Sequence, residues 1–554
     1  MNAVESEDGN ASMPISPTRS WKPLHIYLWI AERRALACLV CALLVLVVRG
    51  ALLQWLPVPN PAMHDESSVL LGADTFAHGR LANPPHVMWE HFETFHVLVL
   101  PTYSSKYPVL PAMVIALSQK LLGQPWVGVY LSMGFFAAAL CWMLQSWISP
   151  AWAFFGALTF VMKVGTASYW MNSYMGAGVP GIGGALMLGA TGLIWRFRRY
   201  RHAWTWAVGL AILVHSRPYD AAVLALATGV MLVWTVARDQ APRITALTLM
   251  VKRSAPALAV AAAALLWVNY RVTGNARTLP YQVHDRQYAV APLFAFMQLR
   301  EEPVYRHAVM RKFWTEWNVD QWKNARGARL DVPWKMLRFA DFFLGFPFLM
   351  LGVLLFPFPQ LNSEERASAL LGAVFVLMIV PLIDVMPHYG ASFAGVIYLR
   401  FVQFLRRFSR WKPGAKPVGT SIALLVGSLV PCWFISAMLV LTGHRGIFDQ
   451  PQDLFSKLHT DAQVRFGDVR ASIHSRILQL PGKHLVVVHY APTHIVHDEW
   501  VYNEADIDAS RVVWARDMGR DKDRELLRYF ADRQVWLLEA DERPPRLYPY
   551  EARH

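Results

Sequence analysis

The chain has 554 residues, 55% hydrophobic and only 17% charged, with a mean hydropathy of +0.26. A soluble chain of this length splits into several domains and carries a larger charged share, so the bulk of the protein is not soluble. The formal charge of +14 lies in short clusters beside apolar runs rather than in one patch, which argues against nucleic acid and fits the basic cytoplasmic loops of a multi-pass membrane protein.

In chain order, residues 1–33 are expected to form a cytoplasmic tail whose first 20 residues are polar and disordered. The first apolar run has no small-residue cleavage site after it and is read as an anchor, not a cleaved signal peptide. Span one covers 34–56, with Arg33 and Arg34 holding its start inside. An outer loop, 57–124, follows; its segment 108–122 is too short for a span and carries Lys120, so it is expected to be a juxtamembrane or re-entrant helix. Spans two to four are placed at 125–147, 151–168 and 178–195. The run 203–236 is too long for one span and is broken by Ser216-Arg217-Pro218-Tyr219-Asp220, where proline disfavours helix at the residue before it. It is divided into two shorter helices. Span seven, 254–269, leads to a second outer loop, 270–335. Spans eight to eleven follow at 337–357, 368–386, 390–405 and 418–441. This threading leaves Arg33-Arg34, Arg196–Arg201, Lys252-Arg253 and Arg406–Lys412 inside, with the N-terminus in and the C-terminus out.

The expected fold is thus an α-helical polytopic bundle of about eleven transmembrane helices over 34–442, with its outer loops in the periplasm if the cell is Gram-negative. The remainder, 443–554, alternates apolar stretches (His484–His489, Val535–Leu538) with a charged helical stretch at 519–532. It is expected to be a small soluble α/β domain facing the periplasm. Cys38, Cys41, Cys141 and Cys432 all fall in apolar runs, which supports neither a disulfide framework nor a zinc site.

Ionisable residues gather in the outer loops. Asp65-Glu66 has two readings: acidic residues in a helix's first turn, or reactive groups. The loop-one histidines lack same-face spacing with a carboxylate, so no metal centre is expected, although a divalent cation bound jointly with a phosphate stays open. Arg217 and Asp220 are three residues apart between two membrane-length helices, which allows an ion pair closing the turn or a polar cavity wall. Lys163 is a candidate snorkelling lysine, and Asp384 is equally ambiguous.

An ordered series of segments resembles the bacterial GT-C glycosyltransferases. They are His64-Asp-Glu66, Leu70–Leu81, Asn83-Pro-Pro-His86, Trp89–His96 and Ser105-Lys-Tyr-Pro108 in loop one. Further along are Ser168–Tyr174, Ser216–Asp220, Asn269–Gly274 and Leu279–His284. The group resembled includes the rhizobial lipopolysaccharide core galacturonosyltransferases, the lipid A aminoarabinose transferase and protein O-mannosyltransferases. The resemblance implies transfer of a sugar, with inversion, from a polyprenyl-phosphate carrier to a lipid, glycan or protein acceptor at the outer face. It implies Asp65 as the acceptor base with Glu66 beside it. Lys106, Arg217 and His388 are the candidates for the donor phosphate, since charge develops on that leaving group. Tyr107, Tyr169, Trp170, Asn172, Tyr174, Tyr219 and Asp220 are expected to line the cavity. The series departs from its relatives at Val109-Leu110, where a second proline and a glycine are common, and this bears on how Lys106 fits. The alternatives are a transporter or flippase, for which no inverted repeat is visible, and an inactive assembly protein that kept the fold.

Overall fold

The computed structural model describes residues 22–239, 243–327, 331–345, 361–441 and 461–550. The predicted disordered N-terminal residues, the second half of span eight and the first part of the tail domain lie outside the described residues. The protein is a mostly helical membrane protein. Among the described residues, six helices are long and apolar enough to cross a membrane.

The chain opens with α1 (Lys22–Glu32), inside the stretch read as a tail. Its Tyr27 stacks near Phe154 and donates to Ala151 O at 2.5 Å, so this segment is tied to the bundle. α2 (Arg34–Ala51) is the first long apolar helix. Loop one contributes α3 (His64–Ala77) and a short antiparallel pair, β1 (Val97–Leu98) with β2 (Ser104–Ser105). α4 (Val109–Leu122) has 14 residues, about 21 Å of helix, which falls short of a hydrocarbon core of about 30 Å. Then come α5 (Trp126–Trp147), α6 (Pro150–Phe160, continued by a π turn to Gly165) and α7 (Gly178–Phe197).

α7 is the buried centre of the bundle. Close approach demands small residues on it: a Cβ at Gly181 would sit 2.4 Å from the Phe136 ring, and one at Gly184 would sit 2.0 Å from Ser392 O. α8 (Ala203–Val214) and α9 (Pro218–Ala237) are the two halves of the long apolar run, broken at the predicted place. Proline serves as the first residue of α9, where its missing N–H costs nothing. α10 (Arg243–Thr273) is longer than the span expected at 254–269 and carries Pro256 within it. Helices Asp331–Leu344, Ser363–Ile379, Ala394–Phe408 and Val418–Leu441 complete the membrane part.

Residues 461–550 form a four-stranded sheet with two helices. β3 (His484–His489) lies between β4 (Val512–Arg516) and β5 (Gln534–Glu539), parallel to both, and β6 (Arg546–Pro549) is antiparallel to β5. Strands buried on both faces need apolar residues throughout, and Leu485, Val486, Val487 and Val488 supply them in sequence. One face packs Val486, Val488 and Trp514 against Ile473 and Ile477 of the helix Asp461–Leu478. The other shares a core with loop one, in which Leu485, Val487, Val513 and Phe530 meet Leu71, Phe92, Val97 and Tyr103. The sheet and loop one are therefore one packed unit.

Candidate active site

Glu66 and Asp65 are adjacent in the first turn of α3, about 100° apart around its axis, so they serve different surroundings. Glu66 points inward and is 1% exposed. Its Oε2 accepts from Ala62 N (2.9 Å) and Met63 N (3.1 Å), and its Oε1 from Tyr174 N (2.9 Å). It caps the helix and pins it to the 168–174 turn. Its carboxylate is absent from the cavity wall, which corrects its place beside the base. Asp65 faces the cavity: Tyr107 OH donates to its Oδ1, and His96 Nε2 lies 3.8 Å from the same oxygen.

Two cations reach the same cavity from distant stretches of sequence. Lys106 follows β2 and is fixed by Lys106 N donating to His96 O at 3.2 Å. Its side chain is buried, with Nζ 4.7 Å from the centre of the Tyr281 ring and 5.3 Å from that of Tyr107. Ring faces partly replace lost water around an ammonium. Burial pulls the Lys106 ammonium below the ordinary lysine range, while Asp285 and Asp65 oppose that pull. Arg217 sits in the α8–α9 break. Its Nε donates to Asp220 Oδ2 at 2.9 Å and its guanidinium lies 4.4 Å over the Tyr389 ring. Asp220 also accepts from Ser392 Oγ at 2.7 Å. The pair thus closes the turn and lines the cavity at once. The Val109-Leu110 departure lies at the same junction: Leu110 N donates to His215 O at 3.0 Å.

His388 lines the cavity in a neutral state. Burial first, then Arg217 and Arg338, push its imidazole well below the usual histidine range. Its backbone N donates to Tyr169 OH at 2.8 Å, and the Tyr169 hydroxyl lies 3.1 Å from Nδ1. A hydroxyl that already accepts can donate onward to Nδ1, which leaves Nε2–H as the donor of His388. His388 therefore presents a neutral hydrogen-bond donor to the cavity and no charge.

These residues surround a cavity of ≈ 450 Å³ walled by both outer loops, the α8–α9 break and the tail domain. Of the expected lining, Tyr107, Tyr219 and Asp220 are present, and Tyr169, Trp170, Asn172 and Tyr174 are not. The 168–174 turn packs beneath α3 and against the bundle. Trp170 is buried between Phe136 and Phe342, Asn172 accepts from Arg49 Nε at 3.1 Å, and Tyr174 OH donates to Pro59 O at 3.2 Å. Tyr169 acts on the site only through His388. The reading of the residues did not place His96, Tyr281, Asp285, Trp314, Trp317 or His497 in this wall. Tyr281 lay inside a resemblance segment; Trp314, Trp317 and His497 carried no sequence signal. Asp384, ambiguous in the sequence, and Tyr389 line it too.

The imidazoles of His64, His96 and His284 crowd behind Asp65 and Lys106. Burial pushes all three down, His284 to about 4. Among the described residues, no group of three or more His, Cys, Asp or Glu side chains is arranged to hold a metal ion.

No family model matches the chain, and no curated protein matches it. Among solved structures it is similar to ArnT from Cupriavidus metallidurans bound to undecaprenyl phosphate, at 11% identity and a TM-score of 0.42, covering 93% of each chain. It is also similar to the Archaeoglobus fulgidus oligosaccharyltransferase tethered with an acceptor peptide, at 9% identity and a TM-score of 0.44, covering 94% of this chain and 70% of that one. A third similar structure is the oligosaccharyltransferase AglB from Archaeoglobus fulgidus in complex with an inhibitory peptide and a dolichol-phosphate. Identity there is 9% and the TM-score 0.36, covering 85% of this chain and 63% of that one.

Proposed function

We propose that the chain is an integral-membrane glycosyltransferase. It moves a sugar, with inversion, from a polyprenyl-phosphate carrier to an envelope acceptor at the outer face of the inner membrane. The observation that carries this is the convergence of Asp65, Lys106 and Arg217 on one cavity at the ends of membrane helices. Asp65 is held by Tyr107 OH and takes the proton of the acceptor hydroxyl. The hydroxyl oxygen bonds to the anomeric carbon from the face opposite the phosphate. The carbon–oxygen bond to phosphate breaks, and its electron pair goes to the phosphate oxygen. Lys106 and Arg217 neutralise the charge gathering there, and His388 Nε2–H adds a hydrogen bond. Preorganised donors of this kind stabilise developing charge without reorganising.

The outward orientation rests on α7. Gly176 and Ala177 at its start line the cavity, and its far end is the basic run Arg196–Arg201. A cytoplasmic basic end puts the cavity outside. The test is Asp65→Asn in purified full-length protein, supplied with a polyprenyl-phosphate-linked sugar and an envelope extract from cells lacking the gene. Transfer should fall by about 10²–10⁴-fold. Undiminished transfer would remove Asp65 as the base.

A further inference from the structure

Two parts of the cavity wall differ in chemistry. At one, Arg217, His388 and Tyr389 stand beside the membrane helices. At the other, His497 enters from the segment between β3 and β4 of the tail domain. Its ring stacks on His64, the residue before Asp65 (centroids 5.6 Å apart), and meets Trp317 edge-on at 5.2 Å. Among the described residues, no hydrogen bond, ion pair or ring contact joins Arg217 or His388 to His497 or Trp317.

The segment carrying His497 is fixed from several sides. Lys312 Nζ donates to His494 O at 3.1 Å, and His494 Nδ1 lies 2.7 Å from Asp541 Oδ1. Val496 is buried with Phe95, Tyr288 and Phe313. The His497 ring, held by His64, Phe313 and Trp317, lines the cavity wall and is only partly buried there.

We propose that His497 and Trp317 wall the acceptor subsite, one ring stacking on a sugar that presents its hydroxyl to Asp65 and the other, set perpendicular to it, meeting the sugar's rim, so that the acceptor is a saccharide and the tail domain selects it. This rests on the transferase reading above. Ring faces with polar edges suit the apolar face and hydroxyl rim of a sugar. A peptide added as a strand needs an exposed strand edge, and among the described residues no strand lines the cavity.

The probe is the oligosaccharide released from envelope glycolipids of cells lacking the gene, used with full-length protein in nanodiscs. His497→Ala and Trp317→Leu should each raise the half-saturating oligosaccharide concentration about tenfold. The donor's half-saturating concentration should stay unchanged, a split that a general folding defect would not give. Saturation-transfer NMR on Asp65→Asn, which cannot turn over, should show oligosaccharide contact that His497→Ala removes. Transfer with unaltered oligosaccharide dependence in both variants would overturn the inference and leave the transferase standing. His497-dependent contact without any transfer would do the reverse. A missing sugar found on a protein in place of a glycan would also overturn it.

Discussion

Replacing Glu66 separates two adjacent carboxylates that sequence alone pairs. Glu66→Ala strips the acceptor from three backbone amides, those of Ala62, Met63 and Tyr174. A buried N–H without a partner costs about 1–3 kcal/mol. Water reaches the half-buried Met63, so the two fully buried amides set the sum at about 2–6 kcal/mol, enough to fray the turn that carries Asp65. Glu66→Gln keeps one carbonyl oxygen and loses about 2 kcal/mol, since an amide NH2 then faces a backbone donor. Stability is read as the half-life of the monodisperse peak on size exclusion after heating, because membrane proteins of this size unfold irreversibly. Activity is read per surviving molecule. Glu66→Gln should shorten the half-life clearly and keep transfer within about tenfold, against the 10²–10⁴-fold loss of a removed base in Asp65→Asn. A Glu66→Gln protein with parental half-life and a loss as large as that of Asp65→Asn would refute the capping role and make Glu66 the reactive acid.

Lys106→Met and Arg217→Met should each lower the rate at saturating substrate about 10²–10³-fold, as loss of a charge-stabilising donor does; a change confined to the donor's half-saturation would contradict that role. Stability should fall as pH drops from about 6.5 towards 4. His284 is held neutral in the folded protein, to about 4 from its usual 6.5, so below 6.5 the unfolded chain takes up the proton first. That shift corresponds to roughly 3 kcal/mol at the acid end, and the gap between heat-resistance curves at pH 7 and 4.5 should narrow in His284→Phe, with His64 and His96 keeping the remainder. Transfer should survive chelation, because Lys106 and Arg217 already supply two positive charges to the phosphate; loss of turnover in EDTA, restored by magnesium, would assign that charge to a bound ion.

What the sequence made legible follows the range over which each signal acts. The α8–α9 break is a local proline effect, and it is where Ser216–Asp220 predicts. Asp65, Lys106 and Arg217 could be named because charged groups beside apolar runs are costly, and their order matched a familiar series. The split between Asp65 and Glu66 was hidden, since helix rotation alone does not say which side faces a cavity. The 168–174 turn was misplaced for the same reason: its aromatic residues suit a cavity wall and a packed underside equally. His497 was out of reach, because its role depends on how a domain over 400 residues later docks on loop one.

That docking has a consequence for how the protein is made. Leu71, Phe92, Val97 and Tyr103 share their core with Leu485, Val487, Val513 and Phe530. Loop one leaves the ribosome early, and its partner strands follow roughly 380 residues later, about 20–75 s at ordinary elongation rates. Through that interval its apolar side has no lasting cover, and Asp65 stands in an unfinished wall. The shared core and the cavity wall are therefore complete only once these strands have been made and have docked on loop one. A ribosome that stops short leaves loop one without the residues that the sheet supplies to its core and without His497 in the cavity wall.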